Sequence, residues 1–202
     1  MAQSTHLIDQ ATPTDWTVDF RSVRVSEEEF YALCRDNPEL RIEMTAEGEL
    51  IIMPPTGSET GRRNSTLTQR VANWAEADGT GLSFDSSTGF ILPNGAKRSP
   101  DASWIKKERW HALAPEQRER FAPICPDFVV ELRSPDDRLP VLQAKMVEYI
   151  ENGARLGLLL DPIQRSVYVY RPNQQPEQID NPETISGDPV LPGFVLKLKD
   201  IW

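Results

Sequence analysis

The stretch PDFVVELRSPDD, residues 126 to 137, constrains this chain more than any other. Phe128, Val129 and Val130 read as a buried strand, and Glu131 then continues that strand with a carboxylate. Side chains alternate along a strand, so Phe128, Val130 and Leu132 point one way while Val129, Glu131 and Arg133 point the other. A buried carboxylate is costly unless it is paired or holds a cation. Whatever fold forms must therefore bring a partner to the end of this strand.

The rest of the chain supplies the elements. Residues 1 to 22 carry Thr, Asp and Gln without periodicity and read as a loose arm. In VSEEEFYALCRDNP, Ser26 and Glu29 have capping-box spacing, Phe30, Leu33 and Cys34 share a helical face, and Pro38 ends the helix. RIEMTAEGELIIMPP alternates as a β-hairpin about AEG, with Ile42 and Met44 opposite in phase to Arg41, Glu43 and Thr45. A helix follows from a Ser58 cap to about Asp78, with Leu67, Val71, Trp74 and Ala75 on one face. LSFDSSTGFIL, RSPDASWI and DFVVELR read as three strands, with short surface helices expected in KKERWHALAPEQRERFAPICP. RLPVLQAKMVEYIENG is a second amphipathic helix, with Gly153 where a C-terminal cap belongs. Strands LGLLLD and SVYVYRP come next, then a Pro/Asn/Gln linker over residues 172 to 183 and a last apolar piece, GFVLKLKDIW. This order predicts an α/β fold, a central mixed sheet flanked by helices, with an N-terminal helix and β-hairpin. We expect a flexible arm over 1–22 and a single domain over 23–202.

Composition narrows the function. Apolar residues make up 39% of the 202, enough for a core. No run of about 18 apolar residues is present, which argues against a membrane span. The first residues lack the basic start and apolar centre of a secretory signal, so a cytoplasmic protein is expected. Cys34 and Cys125 fit no metal or redox spacing and read as free thiols. The formal charge of −9 speaks against a passive nucleic-acid coat but is compatible with an acidic centre built for a cation. His6 and His111 form no constellation, and no glycine-rich phosphate loop opens a helix.

An acid and a basic residue two positions apart at a strand end suit a metal-dependent phosphodiesterase. The acid holds a divalent cation, and the basic group steadies the charge that develops on phosphate. Glu131 and Arg133 supply the pair. A second carboxylate is expected for Mg²⁺, and Asp101, beginning a strand just after Pro100, is the candidate if that strand pairs with DFVVELR.

Pro100-Asp101, followed thirty residues later by Glu131-Leu132-Arg133, resembles the PD-(D/E)XK nuclease signature. The wider pattern is similar to the Uma2 group of endonucleases, abundant in cyanobacteria, through IEMTAEGELIIMPPTG, SPDASWI, PDFVVELRSPDDR, KMVEYIENGARLG, LLLDP and LPGF. The resemblance implies a restriction-endonuclease-like core and a Mg²⁺-dependent endonuclease acting on DNA, with Mn²⁺ as a substitute. It implies Asp101 and Glu131 as metal ligands. The usual lysine after the glutamate is Arg133 here, which stays protonated and serves only to stabilise charge or bind phosphate. Lys145, in the following helix, matches the alternative lysine position of the group. Where many members carry Glu-His, this chain has Glu59 and Thr60, and Glu59 is a third candidate ligand.

Each of these residues has an ordinary reading as well. Glu131 pairs structurally with Arg133 or Arg155, Asp101 serves a turn, Lys145 snorkels into solvent, and Glu59 complements its helix dipole. Arg62-Arg63, Lys97-Arg98, Lys106-Lys107 and Arg109 are candidate phosphate contacts or plain solvated charges. The alternative function is a nuclease-fold module with little or no cleavage that binds nucleic acid or a protein partner. A homodimer is expected if both strands of a duplex are cut.

Overall fold

The computed structural model describes residues 16–23 and 25–202. In chain order the elements are β1 (Trp16–Asp19), α1 (Glu27–Asp36), β2 (Arg41–Met44), β3 (Glu49–Met53), α2 (Ser58–Asp78), β4 (Gly81–Asp85), β5 (Phe90–Ile91), β6 (Lys97–Arg98), β7 (Ala102–Lys106), α3 (Lys107–His111), α4 (Pro115–Arg118), β8 (Phe128–Leu132), α5 (Leu139–Glu151), β9 (Leu156–Asp161), β10 (Ser166–Tyr170), β11 (Glu177–Asp180), β12 (Thr184–Ser186) and β13 (Val195–Lys197). They form a mixed α/β fold, with a central mixed sheet flanked by helices.

The central sheet has six strands in the order β11-β10-β9-β8-β7-β4. Its one parallel pair is β8 with β9, and α5 makes the crossover between them, as a parallel connection requires. All five residues of β8 are buried. On one face Phe128, Val130 and Leu132 pack with Leu67, Val71 and Ala75 of α2 and with Leu191, Phe194 and Leu196 of the C-terminal segment. On the other face Val129 and Leu159 pack with Met146 and Tyr149 of α5. Gly157 of β9 lets α5 come close, since a Cβ there would stand 2.5 Å from Met146 Cε.

A second sheet, β1-β3-β2-β6-β5, is built on the hairpin. Its period-2 pattern turns Ile42, Met44 and Leu50 onto Phe30 of α1, whose Ser26–Glu29 capping box is formed. The opposite face of the hairpin carries Arg41, Glu43 and Ile51 and turns toward the end of the central sheet.

Several boundaries differ from expectation. Residues 16–19, assigned to the loose arm, form the edge strand β1 against β3, while 1–15 lie outside the described residues. LSFDSSTGFIL divides into β4 and β5, which join different sheets, because a turn at Asp85 accepts the Ser87 amide and redirects the chain. The linker over 172–183 contains β11, paired with β10. Gly57, not Ser58, is the N-cap of α2. Asp101 precedes β7 instead of beginning it.

Candidate active site

Four elements, β2, α2, β7 and α5, meet at one end of β8. The β7–β8 pairing sets Ala102 opposite Val130, so Asp101, one residue earlier, comes to the level of Glu131. The Asp101 carboxylate is anchored there: Oδ2 accepts from the Leu132 backbone N–H at 2.9 Å, and Oδ1 accepts from Asn64 Nδ2 of α2 at 3.1 Å. Arg41 Nη2 stands 3.9 Å from Asp101 Oδ1. From α5, Lys145 Nζ lies 2.8 Å from Glu131 Oε1, and the Tyr149 hydroxyl donates to the same oxygen at 3.0 Å. The helical spacing of Lys145 and Tyr149 is what lets both reach one carboxylate.

Glu43 closes the arrangement from β2. It is 2% exposed. Its Oε1 accepts from Lys145 Nζ at 2.8 Å and from the Ser99 backbone N–H at 3.0 Å. Its Oε2 accepts from Arg98 Nη1 at 3.2 Å, and Arg98 Nε donates to Glu148 Oε2 at 2.6 Å. The result is a chain of alternating charge, Glu148, Arg98, Glu43, Lys145, Glu131, buried at Arg98, Glu43 and Glu131.

The electrostatics follow from burial and neighbours. Burial pushes the Glu131 carboxyl up to about 7, and the Asp101 and Glu43 charges add to that against the pull of Lys145. Burial also raises Asp101, with the Leu132 N–H and Arg41 opposing. Glu43 goes the other way: burial works to raise it, but Lys145 and Arg98 outweigh burial and leave it below its usual range. Lys145 is held above its ordinary value, because Glu131 and Glu43 together outweigh the burial that disfavours its charge.

These groups form the floor of a cavity of about 920 Å³ between the outer face of the hairpin sheet, the start of α2 and the first turns of α5. Its walls include apolar Ile51, Met53, Val141 and Leu142 and acidic Glu47, Glu49, Asp136 and Asp137. The cations lining it, Arg41, Arg98 and Lys145, each have a carboxylate of the cavity as partner.

The structure therefore brings together Asp101, Glu131 and Lys145. Two other expected residues stand apart. Arg133 directly follows β8 and does not line the cavity: its Nη1 lies 2.7 Å from Asp161 Oδ2, and its Nε donates to the Asp137 carbonyl. The fully buried Asp161 at the end of the parallel neighbour β9 is the nearer anion, so the expected Glu131–Arg133 pair does not form. Glu59 lines the rim, is more than half exposed, and is shared by Arg62 at 2.7 Å and Arg63 at 3.5 Å. Among the described residues no group of three His, Cys, Asp or Glu side chains is arranged to hold a metal, and the Glu59 carboxylate is engaged by Arg62 and Arg63.

The remaining candidate phosphate contacts are engaged. Lys97 and Arg98 are buried, Arg109 pairs with Asp127, Lys106 with Glu108, and Lys107 donates to the Gly79 carbonyl. Sequence reasoning missed Glu43, Asn64, Glu148 and Tyr149, and it read Arg98 as a phosphate contact or solvated charge instead of the partner of Glu43 and Glu148. The hairpin alternation singles out Glu43 as out of phase with the apolar face, but gives no sign that this second face is also covered.

The pattern of the Uma2 family, described as "Putative restriction endonuclease", matches residues 27–199. The chain belongs to the Uma2 family. No curated protein matches it. A crystal structure at 1.96 Å of a "putative nuclease belonging to DUF820" from Anabaena variabilis has the same fold, with a TM-score of 0.72 at 22% identity over 88% of this chain and 97% of that one. Family and fold are thus those of restriction-endonuclease-like nucleases. Among the described residues of this Uma2 chain, no helix is long and apolar enough to cross a membrane.

Proposed function

We propose that the chain is a Mg²⁺-dependent endonuclease that hydrolyses DNA phosphodiester bonds at the Asp101–Glu131 floor of the cavity. One observation carries the reading: two carboxylates, both raised by burial, are aligned at the end of a central strand with a lysine on one of them. The donor set fits a Mg²⁺ ion, which takes one or two carboxylates and fills its remaining positions with water and phosphate oxygens. A cation there would also offset the repulsion that now disfavours ionised Glu131. Bound Mg²⁺ supplies a Lewis acid and a water of lowered pKa.

Asp101 and Glu131 are the proposed ligands. The Leu132 N–H and Asn64 orient Asp101, and Tyr149 orients Glu131. Lys145 stays protonated and stabilises negative charge on the phosphate during displacement. Glu59, shared by two arginines, is left out of the ligand set, and Arg133, turned to Asp161, is left out of charge stabilisation. A cytoplasmic homodimer is the natural setting if both strands are cut.

Plasmid nicking by purified protein in Mg²⁺, Mn²⁺ or EDTA, with Glu131→Ala alongside, tests the reading. We expect cleavage that needs the metal and is lost in the variant while its circular dichroism is unchanged. Cleavage that persists in EDTA or in Glu131→Ala overturns it.

A second reading, a binding module of the same fold, is favoured by the cavity's cations being already paired with its acids. Such a module gains no thermal stability from Mn²⁺, whereas a protein whose folded state binds the ion must gain it.

A further inference from the structure

Glu43 is a buried acid that the cleavage chemistry does not use. Its setting differs from that of Glu131 in one respect. Both Glu43 oxygens are occupied, Oε1 by Lys145 and the Ser99 N–H, Oε2 by Arg98. Among the described residues Glu131 has donors on Oε1 only, and its Oε2 accepts no protein hydrogen bond. One carboxylate is saturated and the other has an open oxygen. Lys145 Nζ sits between them at 2.8 Å from each.

This asymmetry matters as soon as a cation or a phosphate engages Glu131. Lys145 then shares one of its two counterions with the newcomer, and a long flexible ammonium without a fixed partner turns to water. Glu43 cannot be drawn away in the same manner. Arg98 clamps it, and Arg98 is itself clamped by Glu148 of α5, whose Oε1 accepts from Asn94 Nδ2 at 3.0 Å. The backbone of Ser99 holds it from the segment that leads to Asp101.

We propose that Glu43 is the positioning residue for Lys145: a saturated carboxylate on the hairpin sheet that keeps the ammonium at the cavity floor while Glu131 is in use. The purpose of that anchoring rests on the nuclease reading, but the anchoring itself does not, and the test separates the two.

The test is acylation of lysine amines in the full chain with an N-hydroxysuccinimide acetate, read residue by residue by mass spectrometry, in saturating Mn²⁺ and in EDTA. In the wild type, Lys145 should react slowly in both. In Glu43→Gln, we expect roughly tenfold faster reaction of Lys145 in Mn²⁺, a typical coupling for contacting groups, and a smaller change in EDTA, where Glu131 still holds it. In Glu131→Gln, Lys145 should stay as slow as in the wild type, because Glu43 remains; this arm stands even if Glu43→Gln does not fold. Equal rates in Glu43→Gln and wild type, or a fast Lys145 in Glu131→Gln, overturn the proposal. Where cleavage is observed, Glu43→Gln should lower kcat about 100-fold with KM unchanged, as for a misplaced catalytic group. In a Lys145→Met background the same change should cost nothing further. A second full loss in that background means that Glu43 acts other than through Lys145. A protein that cleaves nothing but shows the acylation pattern refutes the nuclease reading and leaves the anchor standing.

Discussion

The two large sheets solve opposite problems. In the six-stranded sheet, β8, β9 and β10 are buried along their whole lengths, and both faces are covered, by α2 with the C-terminal segment on one side and by α5 on the other. Among the described residues, the five-stranded sheet packs one face on α1 and turns the other, charged face to the cavity that α5 and the central sheet help to close. The first sheet fixes where Asp101 and Glu131 stand. The second supplies Arg41, which faces Asp101, Glu43, which shares Lys145 with Glu131, and Arg98, which holds Glu43. The apolar residues inside the central sheet and the charged residues at the end of β8 are therefore different sets, and substitutions in the two should separate.

The largest effect belongs to the seam. Asp101→Asn should lower cleavage by about 10³-fold or more, as loss of a group that stabilises a developing charge does. The metal-free melting temperature should rise, because burial makes the ionised form of Asp101 unfavourable in the folded state and the amide carries no charge. A fall in both quantities would mean that Asp101 is a structural turn residue whose hydrogen bonds to Leu132 and Asn64 matter for folding alone.

Leu158→Ala tests the other side. Leu158 is fully buried in the centre of β9, and such truncations cost about 2–5 kcal/mol. Urea denaturation should show that loss, while kcat per folded molecule stays at the wild-type value. A kcat that falls in step with stability would show that the central sheet tunes the site as well as placing it.

Arg133 lies where sequence reasoning and structure part, and it sharpens the same division. Arg133→Gln should cost about 1–3 kcal/mol, because it leaves the buried Asp161 carboxylate without its charged partner. Cleavage by the folded variant should be unchanged. A loss of kcat at unchanged stability would return Arg133 to the mechanism.

How far the sequence reveals these two regions depends on what covers each surface. The six-stranded sheet is legible because apolar runs such as FVV and LGLLL leave only a buried strand as a reading, and because Leu67, Val71 and Ala75 keep helical spacing on α2. Asp101 and Glu131 are legible together only through the order of motifs, and their alignment depends on the β7–β8 register. The hairpin reads correctly as a hairpin, but alternation assigns its second face to solvent by default. Glu43 is buried because a different sheet and α5 close over that face, a contact between residues 102 positions apart with no local signature. Arg98 hides in the same way: beside Lys97 in a basic pair it looks like a surface contact, and only the seam makes it internal. The linker over 172–183 misleads for the opposite reason, since Pro, Asn and Gln disfavour a strand that an available edge of β10 nevertheless recruits.

The smallest effect is one of pH, and its sign follows from Glu131. Its carboxyl rises from 4.5 to about 7 on folding, so the folded protein keeps a proton that the unfolded chain gives up. The stabilising contribution of that proton is complete below pH 4.5 and is lost as pH rises through about 7. On the proposed reading a divalent cation competes with that proton for the Glu131 carboxylate. Mn²⁺ binding should therefore release a proton below pH 7 and tighten by up to about tenfold per pH unit there, levelling off above it. Calorimetric titrations at pH 6, 7 and 8 in buffers of different ionisation enthalpy measure both the affinity and the proton released. An affinity that is flat across this range, with no proton released, would remove Glu131 from the ligand set. The cation would then have to rest on Asp101 alone, and the hairpin sheet's grip on Lys145 would serve only to neutralise a buried acid.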